Sequence, residues 1–174
     1  MSTPEFSRIE RADTIGEGER TVRIEADEAE RAALAERFEL KSVDSLEAAF
    51  QLRRDALGII ARGHVRGAVV QACVVTDDPI PVVIDEPVAL RFVVDDVAGE
   101  GEIELDEDAL DTMLYDGAAL DLGEAAAETM ALALDPYPRG PNAAAALRAA
   151  GVISEEEAKP LGALAGLKDK LEGR

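Results

Sequence analysis

The sequence predicts an α+β fold, an antiparallel β-meander packed by a few helices within a single domain. Three observations carry this expectation. From Ser45 to Val94, apolar residues recur at every second position in runs rich in β-branched side chains, the periodicity of strands with one buried face. On either side of that block, Asp27 with Glu30 and Asp121 with Glu124 stand at capping-box spacing ahead of apolar residues at helical intervals. The 174 residues are 47% apolar, enough for one core, but only 3% aromatic with no Trp, so that core must be built from Ala, Val, Leu and Ile.

Taken in order, residues 4–24 read as an opening strand anchored by Phe6 and Ile9, a polar turn and a second strand. Gly16 and Gly18 punctuate the turn, and Val22 and Ile24 alternate with Arg23 and Glu25. The two glycines make no phosphate loop, because no buried strand precedes them and no Lys-Ser/Thr follows. Asp27 opens a helix with Ala33, Leu34 and Phe38 on its apolar side, ending near Glu39. Leu46, Ala48, Phe50 and Leu52 then alternate with Glu47, Gln51 and Arg53 as a half-buried strand. A helix is the alternative there, because LEAAFQLRR also holds good helix formers. Leu57–Ala61 and Val65–Val75 follow as β-rich runs, with Gly63 between them as a bulge or bend.

Asp77-Asp78-Pro79 is turn chemistry, and Ile80–Ile84 with Val88–Val94 forms the return strand, where Pro87 suits an edge or a bulge. Asp95–Asp111 reads as a solvated acidic loop, since it lacks the glycine and distal glutamate of a calcium-binding EF-hand loop. Met113–Tyr115 is a short strand closed by an Asp116-Gly117 turn. Behind the Asp121 cap, Leu122, Ala125, Ala126, Thr129, Met130 and Ala133 share one face of a helix of about 13 residues, and Pro136 and Pro138 forbid its continuation. From residue 139 the composition shifts to Ala, Gly and acidic-polar residues, predicting a mobile connector through Lys159 with a helical turn or two at Ala143–Ala150. Ser154 with Glu157 and Pro160 then opens a tail helix striped by Leu161, Leu164, Leu167 and Leu171. The expected organisation is a folded domain over residues 1–138, then connector and amphipathic tail helix over 139–174.

The formal net charge is −19, and its placement is uneven. Between Val75 and Leu134 stand 17 acidic residues and one base, Arg91, whereas the first 74 residues carry 14 acids and 11 bases. Such a middle third repels a phosphate backbone and attracts basic proteins. Scarce aromatics argue against base-stacking platforms. No apolar run approaches the roughly 20 residues of a membrane span, the first residues lack a signal pattern, and one cysteine cannot form an internal disulfide. A cytoplasmic protein without membrane association is expected.

Few residues invite chemistry. His64 is the only histidine, in GHVRG, so a catalytic His pair or a His-based metal cluster is absent. Cys73 lies in the apolar run VVQACVVT, where a free thiol behaves as a small hydrophobe and the following acids should raise its pKa. The serines fall in termini, loops or cap positions. Glu124 and Glu128 stand one turn apart without the Glu-x-x-His companion of a carboxylate metal site, which makes them a solvated or partner-facing stripe. Arg53, Arg54, Arg62 and Arg66, with His64, form the one local basic cluster, placed to touch RNA phosphate or to offset acidic neighbours. No catalytic, metal-binding or cofactor-binding residue is expected, so the chain reads as a non-enzyme.

Three landmarks in order give the chain a resemblance to a known family: Gly67–Pro79 (GAVVQACVVTDDP), Leu120–Arg139 (LDLGEAAAETMALALDPYPR) and the Pro160-Leu161…Leu167-Lys168 ending. Together they resemble the YceD-like family of large ribosomal RNA accumulation proteins, most closely its alphaproteobacterial branch, over roughly residues 5–171. The family's Cys-x-x-Cys is reduced here to Cys73, with Thr76 at the second position, so a thiolate zinc site is not expected. The resemblance implies a bacterial factor in large-subunit biogenesis that supports 23S ribosomal RNA accumulation. With the acidic middle third, it suggests a basic ribosomal protein or an assembly factor as partner, with ribosomal RNA contacted through the arginine cluster as the alternative. The residues expected to meet a protein partner are those of the second landmark: Asp121, Leu122, Gly123, Glu124, Glu128, Pro136, Tyr137, Pro138 and Arg139.

Overall fold

The computed structural model describes residues 4–95 and 111–152. Strands β2 (Arg20–Glu25), β3 (Ser42–Asp55), β4 (Gly58–Ala72) and β5 (Pro79–Val94) form an antiparallel meander, and β6 (Asp111–Tyr115) joins its far edge. β6 runs parallel to β5, pairing with Leu90–Val94 only, a fifth strand that the meander expected from the sequence did not include. A separate two-stranded ribbon pairs β1 (Ile9–Arg11) with β7 (Ala119–Asp121), bringing the start of the described chain to the foot of α2 (Leu122–Leu132). Helix α1 (Glu28–Arg37) and the short α3 (Ala143–Ala149) complete the fold, giving the α+β architecture expected.

Alternation decides β3 against the helical alternative. Leu46, Ala48, Phe50 and Leu52 are all buried on one face, while Glu47 and Gln51 point outward. A register shift between Val43 and Ser45 is what puts both Val43 and Leu46 inward. β3, β4 and β5 supply one face of a continuous core that α1 closes with Leu34 and α2 closes with Leu122, Ala126 and Met130. No described helix covers the opposite face of the sheet.

Gly63 corrects the expectation of a bulge: β4 runs in unbroken register with both neighbours through it. The glycine is there for proximity instead, because a Cβ at this position would lie 1.8 Å from the Ala49 carbonyl oxygen. Pro87 likewise interrupts nothing, and with Pro79 and Pro81 it shares one parity along β5. Their missing N–H groups therefore fall on one side of the strand. That side is the outer one, since the register with β4 continues through all three and β6 begins pairing only at Leu90.

Asp27 caps α1 in a true capping box: its Oδ1 accepts from the Glu30 N–H at 2.9 Å, and Glu30 Oε2 accepts from the Asp27 N–H at 2.8 Å. The same arrangement fails at α2. Asp121 accepts from the Gly123 and Glu124 N–H groups, but the Glu124 carboxylate turns away to a bidentate pair with Arg37 at 2.6 and 2.9 Å. The acidic loop after Val94, apart from its ends, and the tail helix lie outside the described residues.

Replacing Gly63 with Ala must displace backbone, so the variant is expected to lose at least about 2 kcal/mol. Urea unfolding checks this, with Ala49→Gly, which leaves the clashing carbonyl in place, giving no rescue.

Candidate functional site

The first two landmarks of the sequence meet in the structure. β4 ends in a tight turn at Cys73–Asp78, closed by the Cys73 N–H on the Asp78 carbonyl and the Asp77 N–H on the Cys73 carbonyl, both at 2.9 Å. Asp77 adopts a left-handed backbone conformation (φ 60°), which Asp tolerates better than most residues. Against this turn lies the chain that leaves α2. The Val74 N–H donates to the Pro138 carbonyl at 2.9 Å, Gln71 Nε2 donates to the Asp135 carbonyl at 2.9 Å, and Asn142 Nδ2 donates to Asp78 Oδ2 at 3.1 Å. The part of the expected connector nearest α2 is thus tied to the sheet, and α3 follows directly. A cleft of about 730 Å³ opens between the two segments, walled by Leu40, Gln71, Cys73, Ala131, Leu134 and Pro138.

Cys73 is 3% exposed in this cleft, and its sulfur accepts the Gly140 N–H at 3.3 Å. The Thr76 side chain, then Gly140 N–H and the Val75 and Thr76 backbone N–H groups stabilise the thiolate against the opposing effect of burial, holding the thiol down to about 7. This reverses the expectation from the neighbouring acids. Asp77 is occupied by Lys41 at 3.0 Å and Asp78 by Asn142 at 3.1 Å, while the single Thr76 hydroxyl proton is shared between Asp78 Oδ2 at 2.8 Å and the sulfur, so neither carboxylate faces the sulfur directly. The Asn142 side chain, followed by Thr76, holds the Asp78 carboxyl below its usual range.

The residues expected to meet a partner divide by exposure. Leu122, Gly123 and Pro138 are buried. Asp121 is occupied by Ser7 Oγ (2.6 Å), the Arg8 N–H (2.8 Å) and its own helix. Glu124 is held by Arg37, whose charge two carboxylates share, because Glu5 also binds it at 2.9 Å. Glu128, Pro136, Tyr137 and Arg139 remain exposed, Tyr137 at 73%.

The basic cluster divides as well. Arg54 points to the core side of the sheet and caps the Ile15 and Ala12 carbonyls. Arg66 and His64 share Asp85, at 3.1 and 3.2 Å. Arg53 and Arg62 face outward and, with Arg23, have no ion-pair partner among the described residues. Sequence reasoning missed Arg23, although its alternation with Val22 and Ile24 marked it as outward-facing. Three successive cross-strand rows result: Arg23-Ala49-His64-Pro87, Thr21-Gln51-Arg62-Ala89 and Arg53-Ile60-Arg91. None contains a carboxylate, although Asp55 reaches Arg91 from outside at 2.9 Å.

A family model described as large ribosomal RNA subunit accumulation protein YceD matches residues 61–168, which include both segments of the cleft. The chain belongs to the YceD family. No curated protein and no solved structure matches it. The family is one of ribosomal RNA accumulation factors, and the join between the Cys73 turn and the Asp135–Asn142 segment lies wholly within the matched region. No group of three or more His, Cys, Asp or Glu side chains converges among the described residues, and Thr76 offers a hydroxyl where a second thiolate would be needed for zinc. No described helix of this YceD-family chain is long and apolar enough to cross a membrane.

The thiol leads to two expectations. Thiolate ultraviolet absorbance should titrate with a midpoint near 7, and Thr76→Val should raise that midpoint. An acid whose pKa is lowered on folding adds stability that is complete above its ordinary value of 9.0 and is lost as pH falls through about 7. Denaturation midpoints should therefore rise between these pH values in the native protein, and the part of that rise owed to the thiol should vanish in Cys73→Ser.

Proposed function

We propose that this chain is a non-enzymatic, cytoplasmic factor in large-subunit biogenesis that supports 23S ribosomal RNA accumulation by binding a basic ribosomal protein or assembly factor. The observation that carries this reading is the partition of charge. Seventeen acids against one base between Val75 and Leu134 favour a cationic protein and disfavour a phosphate backbone over most of the family-matched region. Acidic clusters of this kind raise the association rate with basic partners, and that attraction weakens with salt.

A second reading has its own observation. In a chain with 37 acids and 18 bases, Arg23, Arg53 and Arg62 stand together on the uncovered sheet face with no carboxylate partner among the described residues. That face suits RNA phosphate, with Arg66 partly available beside it.

Capture of the tagged full chain from cells, with and without RNase, tests both readings. Retention of one basic large-subunit protein or assembly factor after RNase, released by salt, is the expected result. Loss of all ribosomal material on RNase treatment, with the same loss in Arg53→Glu/Arg62→Glu, would transfer the function to RNA binding. Recovery of no ribosomal material at all would overturn both.

A further inference from the structure

Between α2 and the outer edge of β5 lies a groove of about 530 Å³, separate from the Cys73 cleft. Its floor and walls are apolar: Leu90 and Met113 from the sheet, and Ala125, Leu132 and Ala133 from the helix. Leu132 stands 87% exposed over it, at the end of a helix whose other large aliphatic side chains are buried. The polar side chains on the rim are Glu86 of β5, Asp111 of β6, and Glu128 and Thr129 of α2, and no basic residue lines the groove. These three carboxylates have no hydrogen bond or ion pair with other described residues, unlike Asp121 and Glu124 at the start of the same helix. Other exposed carboxylates such as Glu17, Glu19 and Glu47 are open too, but only here do they border an apolar groove between α2 and the sheet.

We propose that this groove is the docking site for a lysine- or arginine-rich protein segment that places an aliphatic side chain on the Leu132–Met113 floor and its cations on Glu86, Asp111 and Glu128. The inference rests on the basic-partner reading above and gives it a location. The floor selects an aliphatic anchor by apolar burial, and the rim selects positive charge on its flanks. A volume within the range of about 300–1,000 Å³ common to ligand clefts accommodates such an anchor. RNA is disfavoured, since three unneutralised carboxylates would face its phosphates. A second copy is disfavoured by the net charge of −19 carried by each chain. The chain's own residues 153–174 contain five acids and four bases and so offer little charge complementarity. Strand addition is disfavoured, because Pro79, Pro81 and Pro87 remove N–H donors from this edge and leave only those of Val83, Asp85 and Ala89; the groove is better read by side chains.

The test uses the full chain and a synthetic ten-residue peptide of alternating lysine and leucine, followed by backbone NMR shifts and by affinity. The shifts should concentrate at Glu86, Met113, Glu128 and Leu132. Glu86→Lys/Glu128→Lys should weaken binding at least tenfold and Leu132→Ser several-fold, both at exposed positions that leave the fold intact. Glu17→Lys/Glu19→Lys, an equal change of charge at exposed positions in the turn before β2, should alter affinity less than twofold. Equal weakening by both charge-reversed pairs would overturn the site, as would groove shifts produced equally by an aspartate–leucine peptide or by oligouridine. Tightening of the peptide tenfold by Leu164→Asp/Leu167→Asp would give the groove to the chain's own tail, and concentration-dependent dimerisation lost in Leu132→Ser would give it to a second copy. Either result overturns the proposal. Capture after RNase separates this failure from failure of the broader reading. A basic partner held equally by native protein and Glu86→Lys/Glu128→Lys removes the groove alone, and no basic partner with native protein removes the function.

Discussion

The Asp121 carboxylate holds together parts of the chain more than a hundred residues apart. Its Oδ2 accepts the Ser7 hydroxyl, and its Oδ1 accepts the Arg8, Gly123 and Glu124 N–H groups. Beside it, the Leu122 N–H donates to the Arg8 carbonyl at 3.0 Å. A Cβ on Gly123 would fall 2.5 Å from the Phe6 carbonyl oxygen, so only glycine admits this approach. The short β1–β7 ribbon, the entry angle of α2 and the burial of Phe6 all follow from that one junction. Because α2 closes the core over β4 and β5, both the Cys73 cleft and the acidic groove inherit their geometry from it.

Local features of this fold were legible in the residues, and relationships across the chain were not. The capping box of α1 and the alternation of β3 each depend on neighbours within a few positions, and both stand as expected. The failed capping box at α2 shows the limit of that reasoning. Glu124 has the spacing for reciprocity, but Arg37, 87 residues away, offers two N–H donors where the helix N-terminus offers one. Gly63 illustrates it again, for a bulge and a close backbone approach leave the same mark in a sequence. The β1–β7 pairing and the parallel placement of β6 carry no periodic signal. The site residues followed the same division. The LDLGE and DPYPR blocks stood out as motifs, yet only the fold shows that Asp121 and Glu124 are spent internally while Glu128 has no partner among the described residues. Cys73 was misjudged because nearby acids in sequence point elsewhere in space, and backbone donors from residue 140 take their place.

Charge in this YceD-family chain is sorted more finely than its total suggests. Many described cations are consumed by pairing, as with Arg8 on Glu30 at 2.6 Å and Arg20 on Glu10. Among the described residues, Arg23, Arg53 and Arg62 are left without an ion pair together on the uncovered sheet face, and Glu86, Asp111 and Glu128 are left so together on the rim between α2 and β5. A strongly acidic protein thereby keeps a local group of open arginines on its sheet face, bordered by the Glu25-Glu47-Arg66-Asp85 row, apart from the acidic rim of the groove.

The prolines of β5 bear on how this protein survives at cellular concentrations. A 16-residue strand with an open flank is an invitation to runaway stacking, in which each copy extends the sheet of the last. Self-association of that kind needs alternating donors and acceptors along the flank, and three prolines of one parity leave carbonyls without companions there. The long strand that supports the core is thus blunted toward its own kind, with only Val83, Asp85 and Ala89 still offering outward N–H groups, by chemistry that costs the inner ladder nothing, so colloidal stability here is written into the backbone as well as into the surface charge.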